Sequence, residues 1–530
     1  MKTKVSKKKL NLTRCALAVA TSLVASHAYA DAVTDWNLYT ALATKGATST
    51  TAGVAGNAQN SNVSTRIAAI EARAVFDAVN AVSQFSPGKG YYYIVGATGG
   101  SAAAAAAQAA HDVLVGTLPA SLSGAGTGTR TWLDAQLATD LSNLGVISTD
   151  PGVIAGQNAA AAALAARVGD YSAIRTTYIP SSNISSTGTA TATGNPGIGL
   201  WRPNNGGAGV VDANTGAPAG FDATGAIVPG AAIDFNWKNV TPFSLSTLDK
   251  QKLVALVPPV LKVGSAEYTA ELAFVQSHGQ DFSAATTSRT GDQLLQALYY
   301  KSDAELFANQ VARQASADRN LSLVQNAKLF AALDSALADA RIAAFQAKYD
   351  LDYWRPITAI NADATGNAAT ITWKPLATTP AHPSAPAGHS TTIAAGVEIL
   401  RAFFQSDNIV QAGSPVTLTG FSWLVGTNNG TGKLTTTING KDATTRDVST
   451  FTQLQLENGR SRIYLGVHFP NDDYQGQILG VSVADQIINA QLDPAISGLS
   501  VYKGSATVGT GANLRKLFVN NSSVSGFTGL

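Results

Sequence analysis

His382-Pro383-Ser384-Ala385-Pro386-Ala387-Gly388-His389 runs straight into Ser390-Thr391-Thr392-Ile393-Ala394-Ala395-Gly396, so a proline-rich loop ends where a helical pattern begins. Past the turn, Ile393, Val397, Leu400 and Phe404 recur at helical spacing, and four residues back from Ile393 lies His389, which places that imidazole on the same apolar face. Backbone N–H groups at a helix start have no intrahelical acceptor and carry the positive end of the helix dipole, so an anion settles there readily. Gly388 offers no side chain to hold such an anion away. A histidine beside an anion site is positioned to carry protons.

Two further stretches add charge to this picture. Lys348-Tyr-Asp-Leu-Asp-Tyr-Trp-Arg355-Pro356 presents two cations seven residues apart at the end of a long helical pattern, Phe330, Leu333, Leu337, Ala340, Ala344. Extending that face by four reaches Lys348. A lysine on an apolar face either snorkels out at the helix end or meets a buried anion. Downstream, Ser461-Arg462-Ile-Tyr-Leu-Gly-Val-His468-Phe-Pro-Asn-Asp472 supplies a third cation, another histidine and a carboxylate four residues beyond it. Pro470 and the Asn-Asp-Asp run predict that one helix ends here and the next begins near Asp472.

Lys-x6-Arg-Pro, Gly-His preceded by a Pro-rich loop, and Ser-Arg-x5-His-x3-Asp occur here in that order. Together they resemble the signature of the superfamily that joins vanadium-dependent haloperoxidases, type 2 phosphatidic acid phosphatases and soluble acid phosphatases. Three blocks in the right order and spacing are far more specific than one. The likeness extends to 66–82, to Gly197-Ile-Gly-Leu-Trp-Arg-Pro203 and to Asn236-Trp-Lys-Asn-Val-Thr-Pro242, where the chain is similar to a secreted bacterial haloperoxidase-like branch. The resemblance implies a mainly α fold of two packed helical bundles with minor β in the insertions.

It also implies roles. Lys348, Arg355, Gly388 and Arg462 would hold vanadate or phosphate, the arginines as forked donors. His468 would bond directly to the central atom, as the axial ligand of vanadium or as the nucleophile of a phosphohistidine mechanism, with Asp472 holding its other ring nitrogen. His389 would be the acid/base group. Ala387 departs from the pattern, because the family usually has serine before Gly-His. His382 stands where bromoperoxidases tend to carry a second histidine and chloroperoxidases an aromatic residue. Both His382 and Ala387 bear on halide choice: a second imidazole and a missing hydroxyl donor predict oxidation of bromide and iodide in preference to chloride.

Composition sets further bounds. Residues 1–30 hold six Lys/Arg and no acid, then an apolar run from Cys15 to Ala25 and Ala28-Tyr-Ala30, the pattern of a secretory signal peptide cleaved after Ala30. Arg14 before Cys15 argues against a lipoprotein box. The remaining chain carries 30 Lys/Arg against 34 Asp/Glu, a net charge of −4, which removes support for a nucleic-acid role. The single Cys and single Met are Cys15 and Met1, so the mature chain would contain no sulfur. That excludes disulfides and thiolate chemistry, and the lack of thioethers suits an enzyme that produces a strong oxidant. No later stretch is long and apolar enough to span a bilayer.

One helical domain over 31–530 is expected, with its site-bearing half at about 290–490. Helices are predicted over 64–85, 101–116, 155–168, 291–300, 303–316, 321–349 and 473–490, with more helical character over 245–264 and 265–279. On the first of these an Arg73–Asp77 pair is expected opposite the apolar face. A Gly/Ser/Thr-rich loop at about 180–232 should wrap over the helical core around Trp201. An insertion at about 412–447 carries short strand patterns predicted to form a hairpin. His111 lies on a helix and has no assigned role.

The leading expectation is an exported or periplasmic vanadium-dependent haloperoxidase, taking hydrogen peroxide, halide and a small organic acceptor. The alternatives are an exported acid phosphatase acting on phosphomonoesters and an oxyanion-binding homologue weakened in turnover. No nucleic-acid partner is expected.

Overall fold

The computed structural model describes residues 31–45, 59–118, 126–173, 198–201, 232–282, 287–362, 364, 372–419, 437–438, 441–442 and 445–504. The expected leader at 1–30 and most of the 180–232 loop lie outside these residues. The described chain is mainly helical. In its N-terminal part α1 (Ala32–Lys45), α2 (Ser61–Ser83), α3 (Ala102–Thr117), α4 (Gly126–Leu144) and α5 (Pro151–Ala166) form one bundle, in which α2, α3 and α5 pack mutually. After a 3-10 turn at Phe235–Asn239 come α6 (Thr247–Ala255), α7 (Ala266–His278), α8 (Gly291–Tyr299), α9 (Ala304–Asp318), α10 (Leu323–Leu351), α11 (Pro356–Asn361), α12 (Gly388–Phe404), α13 (Phe451–Tyr464) and α14 (Pro470–Asn489).

The 29-residue α10 is the spine of the molecule. A reciprocal Ser322/Gln325 cap starts it, and it ends at Asp352, whose φ of 48° turns the chain out of the helix. Its long Ala-rich body packs on α2 on one side and on α12 on the other, so both bundles share one continuous apolar core. Such small residues let helix axes approach closely.

The closest approach carries the site. On α14, a Cβ built on Gly480 would stand 2.2 Å from the Thr391 carbonyl oxygen, and one on Gly476 2.6 Å from that of Ala387. Only glycine, four residues apart, lets α14 lie directly on the backbone of α12 and bring the two helix starts together.

Several expectations are corrected in detail. The expected break between helices is present: α13 ends at Tyr464, and Pro470 occupies the first position of α14, two residues before Asp472, where its fixed φ and missing N–H are tolerated. Arg73 and Asp77 are both buried and do not pair. Arg73 donates to Ser335, Ser244 and Asp493, while the Asp77 carboxylate accepts from the backbone of Tyr91, Tyr92 and Tyr93. Helix α2 is enclosed by α3, α5 and α10, so it has no polar outer face for such a pair. Residues 256–265 are irregular between α6 and α7. In the insertion, β1 (Val416–Thr419) pairs antiparallel with β4 (Thr445–Val448), and β2 (Thr437–Ile438) with β3 (Lys441–Asp442). The Thr417-Leu-Thr419 run therefore pairs across the whole insertion. Trp201 is fully buried against Trp237, Ile342, Phe345 and Tyr349, and its backbone N–H donates to the Asp352 carbonyl at 2.8 Å.

Replacing Gly480 by valine drives a side chain into the α12 backbone. The expected cost is roughly 1–3 kcal/mol or more, read as a lower midpoint in chemical denaturation. A midpoint equal to that of the unaltered protein would show that α12 and α14 are free to separate.

Candidate active site

Five elements converge at the start of α12. The last turns of α10 bring Lys348. The left-handed turn at Asp352 sends the chain through an extended segment, where Leu200 and Tyr353 form a β-bridge and Trp354 N–H donates to the Gly199 carbonyl at 3.0 Å, and so delivers Arg355. The loop 382–387 is tied down at both ends: Ser384 N–H donates to the Tyr353 carbonyl and Ala387 N–H to that of Asp472, each at 2.8 Å. The end of α13 brings Arg462, and the start of α14 brings His468 and Asp472.

His468 is held in one tautomer. Asp472 Oδ2 accepts from the Ser384 hydroxyl at 2.5 Å, from Phe469 N–H at 3.0 Å and from His468 Nδ1–H at 3.1 Å. The ring's other nitrogen, Nε2, is therefore a lone pair, and it accepts from Arg355 Nη1 at 3.0 Å. Burial and the charges of Arg355 and Lys348 hold His468 well below the usual histidine range. Burial pushes the Asp472 carboxyl up to about 6 against the pull of Ser384 and Phe469.

His389 sits half-buried at the second helix position, where Nε2–H donates to the Ser302 carbonyl at 3.0 Å and leaves Nδ1 as the acceptor. Burial and Arg462 lower its pKa well below the ordinary value, with Asp303 opposing. Helix α12 starts without a side-chain cap, because Ala387 occupies the cap position. The N–H groups of Gly388, His389 and Ser390 find no protein acceptor among the described residues.

The cations define the chemistry. Lys348 is completely buried and donates to the carbonyls of Pro383 at 3.0 Å and Ser384 at 2.9 Å. Arg355, also completely buried, donates to the carbonyls of His382 and Val467 and to His382 Nδ1 at 2.9 Å. Arg462 is buried with Nε and Nη1 lacking any partner. None of the three has a carboxylate within ion-pairing distance among the described residues. The pairings conceivable from sequence, Lys348 and Arg355 with Asp350 or Asp352 and Arg462 with Glu457, are not made; Glu457 engages Arg446 and Tyr300 instead. Burial depresses all three cations, Arg355 to about 9 and Arg462 to about 10. Buried charge of one sign at a bare helix start is a site for a multiply charged oxyanion.

Lys348, Arg355, Gly388, His468 and Asp472 thus lie together, with Arg462 and His389 on the neighbouring side. His382 joins them through Arg355, and its ring lies 5.2 Å from that of Phe345. The sequence reading missed Ser384, whose hydroxyl serves Asp472, and Arg341, whose Nη1 would stand 3.0 Å from a Cβ on Gly388. A signal for Arg341 existed: it lies seven residues before Lys348 on the same helix.

The fold is a helical bundle with unpaired buried cations at the start of α12. Residues 328–494, which carry the site, match the family model described as the VCPO second helical-bundle domain. The chain is 25% identical over 176 residues to the vanadium chloroperoxidase of Curvularia inaequalis, a match covering 28% of this chain and 29% of that protein. Among solved structures, a bacterial vanadium-dependent iodoperoxidase superposes with a TM-score of 0.58 at 16% identity, over 86% of this chain and 95% of that one. A bacterial vanadium-dependent chloroperoxidase in its holo form gives 0.58 at 18% identity, over 83% and 93%. At these identities the two structures show a shared fold.

The imidazoles of His468 and His389 are expected to stay neutral at pH 6, where a solvent-exposed histidine is largely protonated. Nitrogen-15 NMR should place the His468 proton on Nδ1 and the His389 proton on Nε2. Since the folded pKa values lie below the unfolded one, the stability from these rings is present above pH ~6.5 and lost as pH falls through the folded values. Asp472, raised to about 6, acts oppositely, its contribution being lost as pH rises through that value. A ring titrating near 6.5 would contradict the buried placement.

Proposed function

We propose that this protein is an exported vanadium-dependent haloperoxidase that oxidises bromide and iodide, in preference to chloride, with hydrogen peroxide. The observation that carries the reading is the set of buried cations, Lys348, Arg355 and Arg462, gathered without carboxylate partners around an uncapped helix start and a histidine lone pair. These residues fit vanadate: the cations and the Gly388 N–H supply donors, and His468 Nε2, its tautomer fixed by Asp472, would supply the lone pair for direct attachment.

When bound, vanadate supplies a Lewis-acidic centre at which hydrogen peroxide becomes reactive toward halide. The chain supplies the rest. His468 Nε2 would hold the vanadate, and Asp472, Ser384 and the Phe469 N–H keep that ring oriented. Arg355 Nη1, released from the His468 lone pair, donates to an oxyanion oxygen. His389, neutral and with Nδ1 as its acceptor, would hold or release a proton at that nitrogen beside the bound group. Halide selection follows from His382 and Ala387. Arg355 donates to His382 Nδ1, so that imidazole is a polar wall of the cleft, and Ala387 leaves the helix start one hydroxyl donor short. Both limit how strongly oxygen is activated. Export rests on the leader pattern of residues 1–30.

Metal-free protein loaded with vanadate should brominate a phenolic acceptor in the presence of peroxide. Phosphoester hydrolysis without bromination would instead mark a phosphatase, and silence in both would mark a binding protein. Replacing Lys348, Arg355 or Arg462 by alanine should weaken vanadate binding about 10- to 150-fold, since each removes a charged donor worth roughly 1.5–3 kcal/mol. His468→Ala should abolish vanadate attachment. Ala387→Ser should raise the rate of halide oxidation, and chloride turnover equal to bromide in the unaltered protein would contradict the halide assignment.

A further inference from the structure

We propose that Arg341 is a fourth oxyanion-binding cation of this cleft, positioned from the N-terminal bundle by Asn62. The inference rests on the reading of the cleft as an oxyanion site.

Arg341 lies on α10 two turns before Lys348, so both side chains leave the same side of the helix. Its side chain is buried, and a Cβ on Gly388 would stand 3.0 Å from its Nη1 and 3.7 Å from Lys348 Cε. The guanidinium and the lysine therefore flank the same bare helix start. Glycine at 388 does more than admit an anion: any larger residue would push into Arg341.

Its anchoring leaves the fork available. Nε donates to Asn62 Oδ1 at 2.7 Å, and the guanidinium carbon lies 5.3 Å from the centre of the Phe345 ring. Asn62 Nδ2 donates in turn to Asp234 Oδ2 at 2.8 Å, which fixes which end of the amide faces Arg341. No carboxylate lies within ion-pairing distance of Arg341 among the described residues, and Nη1 and Nη2 donate to none of them. The two nearest candidates for neutralising it are already engaged, since Lys45 bridges Asp303 at 2.6 Å and Glu305 at 2.8 Å, and Ser61 also donates to Asp303. The groups that face Arg341 are therefore mostly cationic or imidazole. Its charge depresses Lys348, His382, His389 and Arg462, while Asp303, Glu305 and Asp234 act on it in the opposite sense.

A structural arginine spends its donors within the protein, as Arg289 does on the carbonyls of His278, Gln280 and Tyr464. This one is held by a neutral amide and an aromatic face, an arrangement that orients a guanidinium while leaving its charge for a ligand. Four cations match a dianionic tetrahedral oxyanion better than a monoanion, so the contribution of Arg341 should grow as the ligand deprotonates.

The test is calorimetric titration of the full chain with orthovanadate and, separately, inorganic phosphate at pH 5.5 and pH 8. The variants are Arg341→Met, which keeps packing on Phe345, and Arg341→Gln. Both should weaken binding roughly ten- to hundredfold, with the larger loss at pH 8 and unchanged circular dichroism. Asn62→Ala, which removes only the anchor, should give a smaller loss in the same direction. Unaltered affinity in a folded Arg341→Met or Arg341→Gln protein, with the parent binding, overturns the inference and leaves the oxyanion reading intact. Failure of the parent to bind either anion overturns that reading and the inference with it.

Discussion

The interior of this protein holds positive charge that its own carboxylates do not neutralise. An unpaired buried cation costs several kcal/mol in an otherwise close-packed core, and here Lys348, Arg355 and Arg462 share one cleft. Part of the cost is offset by carbonyl groups of His382, Pro383, Ser384 and Val467, which solvate the ammonium and guanidinium ends in place of water. Much of the surrounding architecture serves this need. The left-handed turn at Asp352, the tethered loop 382–387 and the close crossing of α12 and α14 each place a carbonyl or an N–H where charge must be met.

The same architecture explains why the site is shaped before any ligand arrives. Gly476 and Gly480 let two helices share backbone contact, and the Ala387 N–H donates to the Asp472 carbonyl across that contact. The helix start that would cradle an anion and the helix start that presents His468 thus move as one body. Preorganisation of this kind removes the reorganisation that a flexible site must undergo on binding.

Much of the fold was legible in the sequence, because long Ala- and Leu-rich runs at helical spacing leave few alternatives. The helices read over 64–85, 101–116, 155–168, 291–300, 303–316, 321–349 and 473–490 fall within four residues of their observed ends, whereas Gly126–Leu144 went unread and the stretch 245–264 is helical only to Ala255. Errors arose where tertiary context overrode a local rule. Arg73 and Asp77 read as a surface pair until α3, α5 and α10 enclose both. The residue types of the candidate site were legible through spacing, Lys348 to Arg355 and His468 to Asp472 above all. Arg341 and Ser384 escaped because their partners, Asn62 in one case and Asp472 in the other, are distant in sequence and adjacent only in space. No local pattern marks an arginine whose acid is missing.

The contacts that orient the cleft span great lengths of chain. Lys45 reaches Asp303 across 258 residues, beside the Ser302 carbonyl that holds His389, and Asn62 reaches Arg341 across 279. Closing loops of that length is slow, and local helices form long before such pairs can meet. In the course of folding, the cleft must therefore be assembled late, after both bundles exist and have docked on α10. Until then Arg462 on α13 faces water apart from Arg341, Lys348 and Arg355 on and just past α10, and bringing them together works against their own repulsion. An oxyanion present in the medium during that last step would act as a folding ligand, drawing the two bundles together around itself.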